Sequence, residues 1–215
     1  CFYSVFYHKL LENNVELSNY KTFDSHECLK DNFDYLISIG GDGTILRAAT
    51  FVRDSNLPII GINAGRLGFL ATVQEENIEN LLNRVLDNDF SISKRTLVSL
   101  QSNPANSDLE DINFALNEIT VSRKDTTSMI TIETFINNEY LNSYWADGLI
   151  ISTPTGSTGY SLSCGGPVIM PTSNCFVITP IAPHNLTARP LIIPDDSELT
   201  LKIKGREDQY LVSLD

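Results

Sequence analysis

The stretch YLISIGGDGTIL, residues 35–46, runs a largely apolar strand directly into three glycines that surround one carboxylate, and then into a helix. The apolar residues 35–39 predict a strand of a parallel sheet that is buried on both faces. Apolar side chains then recur with helical spacing across residues 44–53. The stretch therefore predicts a strand–loop–helix unit, with Asp42 at the carboxyl end of the strand.

The same alternation of elements surrounds this stretch. Before it, residues 5–14 read as a helix and 15–20 as a short strand, and after it residues 57–62 read as a second buried strand. Residues 75–87 then form an amphipathic pattern with apolar side chains on one face, namely Ile78, Leu81, Leu82 and Val85. We expect a Rossmann-like α/β nucleotide domain over residues 1–95, with its loops at the carboxyl ends of parallel strands.

The pattern changes after about residue 91. Strands are predicted at residues 96–101, 118–122, 128–136, 139–144, 148–152, 175–180 and 198–203. The Asn137–Asn138 pair between two alternating runs indicates a hairpin, and the polar residues 103–111 read as a mobile surface loop. We therefore expect a β-rich, mostly antiparallel C-terminal domain over residues 96–215.

Composition and charge exclude several classes of protein. The chain has 215 residues and a net charge of −12, which disfavours a nucleic-acid partner. Its apolar runs are too short for a membrane span. Its four cysteines are scattered and lack metal-binding spacing, which favours reduced thiols, a cytoplasmic location and no zinc site. The chain starts without Met and stops within a predicted strand, so we expect it to be truncated at both ends.

The GGDGT motif is a candidate phosphate site. Its glycines, Gly40, Gly41 and Gly43, permit positive φ and let a ligand approach the main chain. The helix that follows offers free N–H groups to phosphate oxygens, which makes Thr44 a further phosphate-contacting candidate. The alternative is a tight turn in which Asp42 caps the helix. The motif is neither a Walker loop nor a GxGxxG fingerprint.

A second candidate site is ADGLIISTPTGSTGYSLSCGGP, residues 146–167. Here a buried strand leads into hydroxyl side chains interleaved with glycines, beside Asp147. Small donors of this kind suit the base, ribose and phosphate edges of a nucleotide, whereas the alternative is a plain loop and a capped helix. The Asn117–Glu118 pair is a weaker candidate that could grip a ribose diol or an adenine edge, or could belong to a surface turn.

Catalysis by a hydrolase triad is disfavoured. The chain has three histidines, His8, His26 and His184, and its TGSTG segment lacks the first glycine of a GxSxG nucleophile elbow. His184 lies between prolines, where it lines a pocket or serves a structural role in the loop.

Taken together, these motifs resemble the NAD kinase family. The matching segments are GGDGT (40–44), GINAGRLGFL (61–70), ALNEI (115–119), DGLIISTPTGSTGYSLSCGGP (147–167) and PIAPHNLTARPLIIP (180–194). They occur in the family's order and span nearly the whole chain. GGDG alone is shared with lipid kinases and resembles phosphofructokinases, whereas the TPTGSTGY stretch is specific.

The resemblance implies that ATP or polyphosphate phosphorylates NAD at the 2′-hydroxyl of its adenosine ribose, giving NADP. It also implies a site between the two domains, a divalent metal such as Mg²⁺ and a homodimer or homotetramer. Asp42 would be the general base. The residues implied to bind NAD are Gly43, Arg47, Phe69, Asn117, Glu118, Asp147, Thr158, Gly159, Tyr160, Ser161, Leu162 and Ser163.

Two residues depart from the family pattern, and two alternative functions remain open. Gly159 stands where many members have alanine, which should be tolerated. Trp145 stands where several members have arginine, so a cation that contacts phosphate is missing there. The alternatives are a lipid or sugar kinase that shares GGDGT, and a non-catalytic NADP(H) sensor that keeps the pocket without the chemistry.

Overall fold

The computed structural model describes residues 2–3, 11–13, 21–29, 33–65, 68–74, 77–109, 111–124, 128–185, 187–205 and 209–215. The chain divides into two compact units, Cys1–Ile92 and Ser93–Asp215, which are described separately below. The helix predicted at 5–14 and the strand predicted at 15–20 fall largely outside the described residues.

The first unit is built on parallel strands and helices. A short parallel pair is followed by a three-stranded parallel sheet in the order β3-β4-β5. The elements are β1 (Phe2–Tyr3), β2 (Thr22–Phe23), β3 (Leu36–Gly40), α1 (Asp42–Val52), β4 (Ile59–Asn63), β5 (Val73–Gln74) and α2 (Ile78–Leu86). The predicted strand–helix–strand order and the parallel sheet are confirmed.

The prediction that β3 is buried on both faces is wrong. Ile37 and Ile39 are 47% and 55% exposed, whereas the intervening Ser38 is buried. Side chains alternate across a strand, and the buried Val52 of α1 belongs to the apolar cluster that Leu36 joins. Helix α1 therefore covers the face of Leu36 and Ser38, and the opposite face stays open in the described structure.

Helix α2 forms as its periodicity predicts, although it begins at Ile78 and its apolar stripe is only partly covered. None of the described side chains of α2 is buried. Leu82 is exposed, and Leu86 is 78% exposed. An amphipathic helix normally turns this stripe towards a core, so α2 contributes little to the packing of the described unit.

The second unit is β-rich and antiparallel, as predicted. Its sheets have the strand orders β13-β12-β11-β8-β15, β10-β9-β14 and β6-β7. The strands are β6 (Val98–Ser99), β7 (Phe114–Ala115), β8 (Glu118–Arg123), β9 (Ile130–Ile136), β10 (Glu139–Ala146), β11 (Gly148–Ser152), β12 (Cys175–Ile181), β13 (Leu191–Pro194), β14 (Leu199–Lys204) and β15 (Tyr210–Leu214). A short helix, α3, spans Tyr160–Ser163.

Two local predictions have different outcomes. The strand expected at 96–101 shrinks to the two residues of β6. The hairpin joining β9 to β10 is confirmed, because Asn137 and Asn138 have φ of 49° and 69°. Two successive positive φ angles are the signature of the two-residue turn that matches the twist of a hairpin.

The core of the second unit lies between its two larger sheets. Ile119, Leu149 and Ile178 of the five-stranded sheet pack with Ile132 and Tyr144 of the three-stranded sheet in one buried cluster. Strand alternation then sends the neighbouring side chains to the other face of the five-stranded sheet.

That second face carries several polar side chains beside the buried Ile150 and Val177. In the register of β8 and β11, Glu118 lies opposite Ser152 and Thr120 lies opposite Ile150. Residues 153–166 follow β11, and the Ser161 hydroxyl within them bonds Thr179 of this face at 2.8 Å. The hydroxyl- and glycine-rich motif therefore packs on this face of the sheet. Among the described residues, no helix is long and apolar enough to cross a membrane.

Candidate functional site

Asp42 is the first residue of α1, and its carboxylate accepts hydrogen bonds from the main chain of residues 69–71. Oδ2 accepts a hydrogen bond from the main-chain N–H of Phe69 at 2.7 Å. Oδ1 accepts from the N–H groups of Leu70 at 2.9 Å and Ala71 at 3.1 Å. The helix cap is Gly41, which has extended φ and ψ, so the alternative in which Asp42 caps the helix is not what forms.

These bonds set the charge state of Asp42. Burial acts to raise its pKa, but the hydrogen bonds from Ala71, Phe69 and Leu70 outweigh burial and hold the pKa below its ordinary value. The group is therefore ionised at neutral pH. An ionised carboxylate has about four lone-pair positions. Three are used, which leaves one on Oδ2 for the hydroxyl of a ligand.

Gly68 makes this arrangement sterically feasible. A Cβ at this position would overlap the carboxylate of Asp42. Gly68 is a functional residue that was not predicted from the sequence, although it lies in the glycine-rich segment NAGRLGFL, residues 63–70. Glycine is required here because the side chain of Asp42 approaches the main chain of Gly68 closely. The two residues are 26 positions apart, so the local sequence pattern does not encode this contact.

The three glycines of GGDGT differ from one another. Gly40 alone among them has a positive φ, of 150°. Gly41 has φ of −92°, and Gly43 lies inside the helix, so neither uses the positive φ that glycine permits. A Cβ at Gly41 or Gly43 would meet no atom within 4 Å. The space before the first turn of α1 is therefore open on the side of these two glycines.

The remaining candidates of the first unit lie on its surface. Arg47 is exposed and Phe69 is 68% exposed. The main-chain N–H of Thr44 already donates to the carbonyl of Gly41 at 3.0 Å. A phosphate contact by Thr44 would therefore use its hydroxyl.

In the second unit, the hydroxyl-rich motif, residues 153–166, is hydrogen-bonded to the main chain of residues 116–117, just before β8. Thr153 donates its N–H to the carbonyl of Asn117 at 2.8 Å and its hydroxyl to the carbonyl of Leu116 at 2.6 Å. Gly156 sits so close that a Cβ there would overlap the carbonyl of Asn117. These contacts bring the start of β8 and the motif 153–166 into one cluster.

Glu118 lies at the centre of this cluster. The main-chain N–H of Tyr160 acts to lower the pKa of its carboxyl group, but other effects outweigh it. Its Oε2 is buried and has no hydrogen-bond partner among the described residues. Burial, followed by the negative charge of Asp215, raises the pKa of Glu118 to about 7.

Asp215 is a site residue that the sequence analysis did not single out. Its carboxylate accepts hydrogen bonds from the N–H groups of Leu116 at 2.5 Å, Asn117 at 2.7 Å and Glu118 at 3.0 Å. It therefore holds the main chain of the Asn117–Glu118 pair in the same way as Asp42 holds residues 69–71. No local signal marks such a contact between residues 97–99 positions apart.

Asp147 lies between β10 and β11, next to the end of β8 at Arg123. It forms an ion pair with Arg123 at 3.0 Å, and both side chains are partly buried. Burial, the thiol of Cys164 and the charge of Asp147 together raise the pKa of the Tyr160 phenol. Asp147, Tyr160 and Glu118 therefore belong to one electrostatic neighbourhood.

The other candidates of this motif differ in accessibility. Ser161 is fully buried, and its hydroxyl bonds Thr179, so a contact between Ser161 and a ligand would have to use the main chain. The hydroxyl of Thr158 donates to the carbonyl of Thr155 at 3.3 Å. Three members of the set have exposed side chains, namely Tyr160, Leu162 and Ser163. Gly159 lies against the carboxyl of Glu118.

Trp145 carries an exposed aromatic surface where the resemblance predicts a cation. It is 50% exposed, and its ring lies 4.3 Å from that of His184, centroid to centroid. The N–H of His184 also donates to the carbonyl of Trp145 at 2.9 Å. The structure thus gives His184 a structural partner at the end of β10.

The described residues contain no group of three or more His, Cys, Asp or Glu side chains that could hold a metal ion.

Two family models match the chain. The ATP-NAD kinase N-terminal domain matches residues 6–90, and the ATP-NAD kinase C-terminal domain matches residues 116–215.

Named relatives cover almost the whole chain. It is 66% identical over 210 residues to an NAD kinase of Flavobacterium johnsoniae, which covers 98% of this chain and 71% of that protein. It is 56% identical to an NAD kinase of Christiangramia forsetii, with 96% and 71% covered. An NAD kinase of Bacteroides fragilis is 46% identical, with 97% and 71% covered.

Two solved structures have a similar fold. The yeast NADH kinase complexed with NADH superposes with a TM-score of 0.79 at 30% identity, over 90% of this chain and 56% of that one. An NAD kinase from Archaeoglobus fulgidus in complex with ATP superposes with a TM-score of 0.71 at 30% identity, over 96% and 80%.

Proposed function

The chain belongs to the NAD kinase family and phosphorylates NAD with ATP; we propose that the acceptor is the 2′-hydroxyl of the adenosine ribose, so that the product is NADP. The protein is a phosphotransferase to an alcohol group. The proposal extends to the residues that carry out the transfer, with Asp42 as the general base.

The observation that carries this proposal is the state of the Asp42 carboxylate. Three main-chain N–H groups hold it in a defined orientation and keep it ionised. One acceptor position on Oδ2 is left over. The group is therefore ready to accept a proton from a hydroxyl, and the open space beside Gly41 and Gly43 accommodates a substrate next to it.

In the proposed step, the ribose 2′-oxygen attacks the γ-phosphorus of ATP and an O–P bond forms. The bond from the γ-phosphorus to the bridging oxygen breaks, ADP leaves, and the hydroxyl proton passes to Asp42. A carboxylate with a lowered pKa is a weak base for an alcohol. The transition state of phosphoryl transfer is loose, however, so the proton can leave late and positioning matters more than basicity.

Magnesium enters this scheme as part of the substrate MgATP. Bound together with ATP, it would supply the positive charge that a Walker lysine supplies elsewhere. A positive charge from the metal fits a net charge of −12, which does not attract phosphate by itself.

For NAD, we propose two groups of contacts. In the first unit these are Gly43, Arg47 and the exposed ring of Phe69. In the second unit they are the cluster around Glu118 and the accessible positions of the hydroxyl-rich motif, namely Asn117, Glu118, Asp147, Thr158, Gly159, Tyr160, Leu162 and Ser163. The support is that main-chain hydrogen bonds and close glycine contacts hold the second group together.

We further propose a homo-oligomer in the cytoplasm. Exposed apolar side chains on edge strand β15, among them Leu211 and Val212, favour a protein contact there. Cys28, Cys164 and Cys175 are free thiols, which suits a reducing compartment. Light scattering after size exclusion would measure the subunit number, and a monomer would contradict the first part of this proposal.

The experiment that tests the function is a coupled assay in which an NADP-specific dehydrogenase reports product from NAD, ATP and Mg²⁺. Parallel reactions replace ATP by polyphosphate or NAD by diacylglycerol. Formation of NADP with ATP supports the proposal. Binding of NAD without turnover with either donor would make the protein a sensor, and phosphorylation of the lipid alone would make it a lipid kinase.

A further inference from the structure

The loop between β4 and β5 carries the three main-chain N–H groups that hold the carboxylate of Asp42. Strand β4 ends at Asn63, and residues 69–71, in the second half of the loop, donate to the carboxylate. Such hydrogen bonds orient a catalytic group only if the segment that donates them is itself held in place by further contacts. The contacts that fix residues 69–71 therefore bear on the chemistry of Asp42.

One buried side chain joins the two ends of this loop. Asn63 is only 5% exposed. Its Oδ1 accepts the main-chain N–H of Gly65 at 2.8 Å, at the start of the loop. Its Nδ2 donates to the carbonyl of Ala71 at 3.3 Å, near the end of the loop. The carboxamide therefore sets the separation between the two ends.

Ala71 connects this side chain to Asp42. Its carbonyl accepts from Asn63, and its N–H donates to Oδ1 of Asp42 at 3.1 Å. Ala71 is fully buried. It is also closely packed, because a Cβ at Gly61 would lie 3.3 Å from the Ala71 Cα and still closer to the side chain of Ile45 on α1. The Asn63 side chain, the Ala71 main chain and the Asp42 carboxylate thus form a continuous series of contacts.

The two contacts of Asn63 need a side chain that both donates and accepts. A carboxamide does both, whereas an ionised carboxylate of the same shape only accepts. The change Asn63→Asp therefore keeps the acceptor for Gly65 and removes the donor to the carbonyl of Ala71. A buried carbonyl that loses its donor is costly, so we expect the main chain at Ala71 to shift.

We infer that Asn63 is a positioning residue for the phosphoryl transfer: it holds the main chain at Gly65 and Ala71, and through the N–H groups of residues 69–71 it fixes the orientation of the Asp42 carboxylate. This inference rests on the proposed function, which makes Asp42 the general base. It deepens that function by assigning a part in the reaction to a buried side chain outside the proposed set of NAD contacts.

A role of Asn63 in stability alone predicts a different pattern of kinetics. Loss of a buried hydrogen bond lowers the free energy of unfolding whether or not Asp42 is present. If Asn63 acts through Asp42, by contrast, its substitution lowers kcat only while the carboxylate is there. Changes that act through one group are not additive, whereas independent changes add in free energy. A double variant therefore separates the two accounts.

The test is the coupled assay at saturating NAD and MgATP, with wild type, Asn63→Asp, Asp42→Asn and the double variant. Saturation removes any effect on NAD binding through Phe69, which lies on the same loop. We expect Asn63→Asp to lower kcat by about 10- to 100-fold, since a displacement of about 1 Å can cost about 10² in rate. In the Asp42→Asn background, the same change should alter kcat by less than about threefold.

The control is Asn83→Asp, which makes the same change at an exposed position on α2 of the same unit and should keep wild-type kcat. Asn63→Ala removes both contacts without burying a charge, and it replaces Asn63→Asp if that variant does not fold. Circular dichroism and urea midpoints show which variants are folded at the assay temperature.

Three results would overturn the inference. The first is wild-type kcat in a folded variant at Asn63. The second is an equal fold-loss of kcat in the wild-type and Asp42→Asn backgrounds, which would leave Asn63 a structural role only. The third is failure of both Asn63 variants to fold, which would assign this side chain to stability.

Failure of this inference is distinguishable from failure of the proposed function. If wild type makes NADP and Asp42→Asn lowers kcat, while the variants at Asn63 keep wild-type kcat, the inference alone is wrong. If wild type makes no NADP from ATP, or if Asp42→Asn keeps full activity, the proposed function or the role of Asp42 is wrong, and the inference falls with it.

Discussion

At the scale of single residues, the two units share one hydrogen-bonding arrangement. In each, an aspartate carboxylate accepts three consecutive main-chain N–H groups of a segment far away in sequence: Asp42 binds residues 69–71 and Asp215 binds residues 116–118. Hydrogen bonds from several amides to one charge are stronger than those between neutral groups. Each carboxylate therefore orients the segment that carries proposed NAD-binding residues, Phe69 in one unit and the Asn117–Glu118 pair in the other.

The first prediction concerns Asp42. Asp42→Asn removes the proton acceptor, so kcat should fall by roughly 10²–10⁴, the usual loss for a general base, and NAD should still bind. The coupled assay measures kcat, and calorimetry measures the Kd for NAD. Asp54→Asn is the matched control, since Asp54 is an exposed carboxylate of the same unit. Full activity of Asp42→Asn would refute the assigned role.

The second prediction concerns Gly68. Gly68→Ala places a methyl group where the Asp42 carboxylate lies, so the carboxylate must move although Asp42 is still present. We expect kcat to fall in the same direction as in Asp42→Asn. Gly65→Ala is the control from the same loop, because a Cβ there meets nothing within 4 Å. Equal activity of both alanine variants would show that the orientation of the carboxylate is unimportant.

The third prediction concerns the effect of Glu118 on stability. Its pKa is raised from 4.5 to about 7 in the folded protein, so the folded state holds this proton over a pH range in which the unfolded state has lost it. The contribution of Glu118 to the free energy of unfolding therefore declines as pH rises through this window. Glu118→Gln should be more favourable to stability at pH 8 than at pH 5, relative to wild type. Urea midpoints at both pH values measure this, and an unchanged difference would contradict it.

At the scale of elements, the position of the hydroxyl-rich motif depends on close contacts with the main chain before β8. Thr153 donates two hydrogen bonds to carbonyls of this segment, and Gly156 packs directly on Asn117. The hydroxyl of Ser157 donates to the carbonyl of Pro154 at 2.7 Å and accepts the N–H of Ile169 at 2.9 Å. Several of the hydroxyls and glycines that suggested a ligand site thus serve first to build the loop.

The fourth prediction follows from this contact. Gly156→Ala drives a methyl group into the carbonyl of Asn117, and since a main-chain carbonyl cannot rotate away, the motif must shift. We expect both a lower urea midpoint and weaker NAD binding. Gly159→Ala is the matched change, because its Cβ would lie 3.1 Å from Oε2 of Glu118, where small adjustments suffice. If both variants had equal urea midpoints and equal affinities for NAD, the close packing of Gly156 would not matter.

At the scale of the whole molecule, the second unit has a complete core of its own. Its two larger sheets share one buried cluster, and Ile132, Leu149 and Ile178 within it are fully buried. The first unit has a smaller cluster around Phe23, and the apolar stripe of α2 is only partly covered there. Since burial of apolar surface dominates stability, and the described residues of the second unit bury the larger cluster, we expect this unit to be stable by itself.

The fifth prediction is that residues 93–215, expressed separately, fold cooperatively. Circular dichroism during urea unfolding should show a single transition. Ile132→Ala in this fragment should lower its free energy of unfolding by about 2–5 kcal/mol, the usual loss for a large aliphatic side chain removed from a core. Lys202→Ala, on the exposed side of β14, provides the comparison. A fragment without a cooperative transition would contradict this account of the core.

The sequence by itself determined the class of the fold, the parallel sheet that carries GGDGT, the hairpin at Asn137–Asn138 and the family, because periodicity, turn residues and contiguous motifs are local properties. It did not determine which face of β3 is covered or which glycines are under steric constraint. Those depend on the number of layers that pack on a sheet and on which main chains approach each other.

The tertiary structure alone decided what the carboxylates touch. Asp42 meets amides 27–29 residues away, and Asp215 meets amides 97–99 residues away. Contacts over such separations exist because whole strands pair and bring distant segments side by side, and no local pattern records them. For the same reason, the sequence identifies Glu118 as a carboxyl group, while burial and the charge of Asp215 in the folded chain raise its pKa to about 7.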